Sequence, residues 1–131
     1  MARSITTFLM FDGAAEEAVR LYVSLFEGAS IHAIERWAPG EPGREGAVKR
    51  LSFALAGHAL IAFDSPTKHA FTFTPSTSLF VECETEREVD AVYAKLAEGG
   101  QVLMPLGGYG FSKKFGWVND RFGVSWQLNW S

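Results

Sequence analysis

The sequence carries a single cysteine, Cys83, among its 131 residues. An internal disulfide is therefore impossible, and nothing points to an oxidising compartment. Long hydrophobic runs are missing as well: no stretch approaches the roughly 20 apolar residues that span a bilayer. The short apolar run near the N-terminus is soon followed by acids, which speaks against a signal peptide. Charge of one sign is equally scarce. Twelve Lys and Arg stand against fifteen Asp and Glu, for a net charge of −3, and the signs are mixed along the chain. That argues against nucleic acid as a partner. A cytoplasmic protein with no membrane partner is expected.

Familiar chemical signatures are also absent. The three histidines, His32, His58 and His69, match no zinc spacing. There is no G-x-S-x-G nucleophile elbow. The run GGYGF, Gly107 to Phe111, lacks the Lys-Thr/Ser ending of a phosphate loop and opens no helix. It reads as a flexible loop carrying Tyr109 and Phe111. Cys83 sits among Glu82, Glu84 and Glu86, whose charges disfavour a thiolate, so a packed, inert cysteine is expected.

What is present is a core. Apolar residues make up 47% of the chain and aromatics 14%, enough for one folded domain. The C-terminal stretch is the most explicit. Val124, Trp126, Leu128 and Trp130 alternate with Ser125, Gln127 and Asn129, the period of a strand with one apolar and one uncharged polar face. Trp126 is placed against a helix, and Ser125, Gln127 and Asn129 toward a cavity. Upstream, Ile5–Phe11 reads as a strand. A helix over 14–26 follows, with Ala15, Ala18, Val19, Tyr22, Leu25 and Phe26 on one side. Strands are expected over 29–38, 47–56 and 58–63, with a tight turn at Gly57. Residues 65–75, with two prolines, form a connector, holding at most a short extended piece at Phe71–Phe73.

The pattern then restarts. Thr77–Cys83 reads as a strand. Thr85 followed by Glu88 is a capping box opening a second helix, and Gly99-Gly100 close it. EAVRLYVSLFEG from Glu17 aligns without a gap on EVDAVYAKLAEG from Glu88, an offset of 71 residues. The same offset sets Thr6 on Thr77 and Leu9 on Phe80. A single βαβββ unit leaves one sheet face uncovered, whereas two can pair around a cleft. The expectation is an α+β domain over 1–131 made of two βαβββ modules, about 4–64 and 76–131, with a linker at 65–75.

FLMFDG with EEAVRLYVSLF, SLFVECETEREVD and MPLGGYGFSKKFGWVNDRFGVSWQL together resemble the vicinal oxygen chelate superfamily of glyoxalases, bleomycin-resistance proteins and dioxygenases. The likeness is greatest to its PhnB-like branch, which bears the 3-demethylubiquinone-9 3-methyltransferase label. The resemblance implies a homodimer and a cleft with four metal-ligand places. These fall near Thr6, near Phe63 or Asp64, near Thr77, and on Gln127. Hydroxyls and an amide are poor ligands for a divalent metal, so a small-molecule cleft without cofactor is expected. Thr6, Phe8, Thr77, Tyr109, Phe111, Ser125 and Gln127 would line it. Asp64 is the candidate general base, as a carboxylate that burial would raise in pKa.

Two alternatives stand beside this. One is a metal-dependent glyoxalase or dioxygenase with Asp64 and Gln127 as ligands. The other is a bleomycin-resistance-like binder that sequesters a drug. Methyl transfer finds little support in the residues. Asp12-Gly13-Ala14-Ala15 has one glycine where an S-adenosylmethionine fold has a glycine-rich turn.

Overall fold

The computed structural model describes all 131 residues. The chain divides into two compact units, Met1–Ala70 and Phe71–Ser131, at a point inside the predicted connector. Each unit is a βαβββ module, so the α+β class holds.

Unit one runs β1 (Thr7–Phe11), α1 (Ala15–Leu25), β2 (Ser30–Arg36), β3 (Val48–Leu55) and β4 (His58–Asp64). The sheet order is β1-β4-β3-β2. β1 lies parallel to β4, from Thr7 opposite Leu60 to Phe11 opposite Asp64, and the other pairs are antiparallel. The β3–β4 hairpin turns through Ala56 (φ 47°) and Gly57 (φ 80°), the two left-handed residues that a tight hairpin of the right twist requires. Leu9, Phe11, Leu51, Phe53, Leu60 and Ala62 are buried and share one sheet face. Ala15, Ala18, Val19 and Tyr22 of α1 are buried too, and α1 packs on β3 and β4. The opposite face carries Phe8, Met10, Ile61 and Phe63. Phe8 and Phe63 meet there with ring centroids 5.0 Å apart.

Helix α1 has no cap of its own. Ala14 at its N-cap offers no side-chain acceptor. The cap comes from the far end of the unit: Asp64 Oδ1 accepts from Gly13 N at 2.9 Å and Ala15 N at 3.0 Å. Residues 37–47 between β2 and β3 also pack back on the unit. The Trp37 indole donates to the Asp64 carbonyl at 3.0 Å. Gly43 lies against that ring so closely that a Cβ there would fall 2.2 Å from it.

Unit two runs β5 (Leu79–Glu82), α2 (Glu86–Ala97), β6 (Gln101–Gly107), β7 (Lys114–Asn119) and β8 (Ser125–Trp130). The order is β5-β8-β7-β6. Pro105 sits on the edge strand β6, where the missing N–H breaks no ladder on both sides. Helix α2 is capped locally. Glu88 N donates to Thr85 Oγ1 at 3.1 Å, and the Glu88 carboxylate takes Glu84 N at 2.9 Å. Its Val89, Val92 and Leu96 are buried, and it packs on β7 and β8. Gly116 belongs to this contact, since a Cβ there would lie 2.7 Å from the Tyr93 ring. Lys114 also ties β7 to α2, through Asp90 at 2.7 Å and Glu86 at 3.0 Å. At the β7–β8 turn, buried Asp120 accepts from Phe122 N, Val124 N and the Trp126 indole at 2.9–3.0 Å.

The ungapped repeat fails in one place. At an offset of 71, Leu9 matches Phe80, yet Leu9 is 7% exposed and Phe80 58%. One residue of slip turns a strand over, so the first strands of the two halves are out of phase. The predicted strand Ile5–Phe11 starts two residues later, Thr77–Cys83 is shorter at both ends, and Phe71–Phe73 forms no strand. No helix is long and apolar enough to cross a membrane.

Candidate functional site

Strand β8 pairs with β5 on one side and β7 on the other, with Gln127 opposite both Phe80 and Trp117. The face away from α2 therefore carries Ser78, Phe80 and Glu82 from β5 and its approach. From β8 it carries Ser125, Gln127 and Asn129, and from β7 Phe115, Trp117 and Asn119. Trp126 and Leu128 are on the opposite, helix side and are buried, as the alternation predicts.

Four of these open-face residues form one hydrogen-bonded cluster. The Trp117 indole donates to Ser125 Oγ at 2.9 Å. Ser125 Oγ lies 2.7 Å from Ser78 Oγ. Gln127 Nε2 donates to Ser78 Oγ at 3.3 Å. All four groups are uncharged. Beside them, Asn129 Nδ2 donates to both Glu82 oxygens at 3.0 Å. Two buried carbonyl oxygens on this face, Asn119 Oδ1 and Asn129 Oδ1, have no protein donor. Buried polar atoms are normally paired, so the face asks for donors.

An aromatic group adjoins the cluster. Phe115 is opposite Asn129. Phe111 packs edge-on against Phe115 at 5.0 Å, and Tyr109 stacks on Phe111 at 6.1 Å. The Tyr109 hydroxyl donates to the Pro105 carbonyl, which fixes the loop. Phe80 and Phe111 are 58% and 64% exposed. Exposed rings grouped in this way mark protein-contact or ligand-binding surfaces.

The structure thus brings together Ser125, Gln127, Tyr109 and Phe111 on unit two. Thr6 and Phe8 belong to unit one, where half-buried Thr6 precedes β1 and Phe8 rests on Phe63. Thr77 is exposed in the turn before β5, bonded through its N–H to the Thr74 carbonyl, and the hydroxyl on the open face there is that of Ser78. Ser78 was legible: Leu79 and Val81 pointing inward put Ser78, Phe80 and Glu82 outward.

Asp64 requires a correction. It does not face the open side of its sheet. It is 3% exposed on the helix side. Besides Gly13 N and Ala15 N on Oδ1, its Oδ2 takes Val48 N at 2.9 Å. A carboxylate committed to three backbone donors is a fold organiser, and that employment displaces the role of general base. Cys83 is buried, and its thiol is pushed up to about 12, first by burial and then by Glu88 and Glu82.

The histidines are dispersed. His58 bonds Thr7 Oγ1 at 2.9 Å, and His69 bonds Ser65 Oγ at 3.2 Å. No three His, Cys, Asp or Glu side chains are placed to hold a metal ion together. Of the four ligand places, the first offers the Thr6 hydroxyl, the second an apolar Phe63 or an occupied Asp64, the third a Thr77 outside its strand, and the fourth the neutral amide of Gln127. Such residues do not fit a divalent cation, which wants imidazole or carboxylate.

The profile of the 3-demethylubiquinone-9 3-methyltransferase family matches residues 3–129. The chain belongs to that family. A solved PhnB protein of Bacillus cereus bearing the same description is 54% identical. The match covers 98% of this chain and 100% of that one, with a TM-score of 0.96. The protein PA1353 of Pseudomonas aeruginosa is 28% identical over 99% of this chain and 98% of its own, with a TM-score of 0.87. FosX of Listeria monocytogenes, solved with Mn(II) and a dihydroxypropylphosphonic acid, is 11% identical over 98% of this chain and 93% of its own. Its TM-score of 0.64 shows a shared fold. No protein with a curated description matches. The chain is thus PhnB-like, and it shares its fold with FosX.

Proposed function

We propose that this PhnB-like protein binds a small, neutral organic molecule on the open face of its second sheet, without a metal. One observation carries the reading. The cluster of Trp117, Ser125, Ser78 and Gln127 is wholly uncharged and lies beside the exposed Phe80 ring. A few convergent polar groups among aromatics is the usual make-up of a ligand site. The unpaired Asn119 and Asn129 oxygens support it further. Against a metal-dependent reaction stands the donor set: the open face adds to the Gln127 amide one carboxylate, Glu82, already bonded by Asn129, and no group of three ligating side chains.

The test has two parts. Protein purified without a metal-affinity tag is analysed for metals and titrated with Mn(II) and Zn(II). Trp fluorescence then follows a titration with naphthalene, in the parent and in Phe80→Ala. The reading expects no stoichiometric metal and naphthalene binding that Phe80→Ala weakens. One equivalent of divalent ion lost in Gln127→Ala overturns it.

A second copy of the chain is the protein partner in this reading, and the cytoplasm its setting. Exposed Ile5, Phe8, Phe71 and Val102 supply apolar surface for such a contact. Light scattering across a concentration series checks it, and a strict monomer refutes it.

A further inference from the structure

The hydrogen atoms of the polar cluster can be assigned by exclusion, and the assignment names a ligand class. An indole N–H only donates, so Ser125 Oγ accepts from Trp117 at 2.9 Å. Ser125 is 2% exposed, and its own proton has one acceptor within reach, Ser78 Oγ at 2.7 Å. A buried hydroxyl left without an acceptor is costly, so the proton goes to Ser78. The reverse direction would strand it.

Ser78 Oγ accepts a second time, from Gln127 Nε2 at 3.3 Å. The contact is long, and it is the amide nitrogen, which can only donate, that faces the Ser78 hydroxyl. With two bonds accepted, the Ser78 hydroxyl has its proton left to give, and Ser78 is half-buried, open to the face. Holding Nε2 on Ser78 turns Gln127 Oε1 away from the cluster, and no protein donor reaches it. One donor and one acceptor therefore stand side by side next to Phe80, the residue opposite Gln127.

Resting on the proposed reading of this face, we infer that Ser78 and Gln127 form a donor–acceptor pair selecting a planar lactam or cis-amide group on an aromatic ring. The ligand carbonyl accepts from Ser78 O–H, and the ligand N–H donates to Gln127 Oε1. Carboxylates are disfavoured. Gln127 Oε1 faces their second oxygen, and Glu82 lies two residues from Phe80 on the same face.

The probes are 2-quinolone, which has both groups, and N-methyl-2-quinolone, which keeps the carbonyl and loses the N–H. Trp fluorescence or calorimetry reads the affinities, and thermal melting confirms that each variant is folded. The parent is expected to prefer 2-quinolone by about tenfold, the worth of one neutral hydrogen bond to a desolvated acceptor. Gln127→Leu abolishes the preference, and Gln127→Glu retains it. Ser78→Ala weakens both lactams alike and leaves the ratio intact. Equal affinity for the two lactams in the parent overturns the pairing. If naphthalene still binds in that case, the proposed aromatic site stands and the donor–acceptor assignment alone is lost. If neither lactam nor naphthalene binds, the reading of the face itself fails.

Discussion

Replacing Asp64 separates a structural carboxylate from a chemical one. Its two oxygens hold Gly13 N, Ala15 N and Val48 N at 2.9–3.0 Å, so the residue joins the start of α1, the start of β3 and the end of β4. Asp64→Asn keeps one oxygen for the Gly13 and Ala15 pair and sets an NH2 group against the Val48 N–H. The loss is one charge-assisted bond plus a donor–donor conflict, about 2–3 kcal/mol. Asp64→Ala strips all three donors in a buried place and costs about 4–6 kcal/mol. Urea unfolding followed by circular dichroism measures both. Amide exchange at residues 13, 15 and 48 should accelerate with them. An Asp64→Asn protein within about 0.5 kcal/mol of the parent would refute the argument, since ordinary surface changes reach only that size.

Other outcomes follow from single contacts. Gly116→Ala drives a methyl into the Tyr93 ring at 2.7 Å and should cost about 1–3 kcal/mol, with part of the loss restored by Tyr93→Leu in urea titrations of the double variant. Thr85→Ala removes the α2 cap and should cost about 1 kcal/mol in the same assay. Hydrogen bonds from Arg36 and then Arg20 hold the Glu16 carboxyl down from 4.5 to about 2. A depressed folded pKa stabilises above the unfolded value and fades as pH falls through the folded one. Glu16→Gln should therefore flatten stability between pH 4.5 and 2, read as melting temperature against pH. The Cys83 thiol, raised to about 12, should ignore a thiol reagent at pH 8 in the folded protein and react on unfolding.

Much of this was legible in the residues. The period-2 alternation of β8 placed Trp126 and Leu128 inward and Ser125 and Gln127 outward, because a strand obeys that parity without help from distant sequence. The Thr85 box was readable because its partners lie within four residues. Distance in the chain defeated the rest. Nothing near Asp64 announces that its acceptors are wanted by Gly13 and Ala15, some fifty positions earlier. The ungapped repeat misled for a different reason. Helices tolerate a fixed offset, but a strand displaced by one residue exchanges its faces, and so the offset of 71 points to Thr77 whereas Ser78 has its hydroxyl on the open face. The loop of Trp37 lacks periodicity altogether, and it is held by the Trp37 indole, the close approach of Gly43 and backbone bonds among Trp37, Gly46 and Ala47.

The contrast between the two helix caps bears on how the polypeptide acquires its shape during synthesis. The α2 cap is assembled from residues emerging almost together, so that helix can be secured as soon as its first turns leave the ribosome. The α1 cap waits for Asp64, the last residue of β4, and closing so long a loop carries an entropic charge before any contact rewards it. The earlier-made helix is thus the later one to be secured. A stall between Leu25 and Asp64 would leave it frayed at its N-terminus, a natural handle for a chaperone.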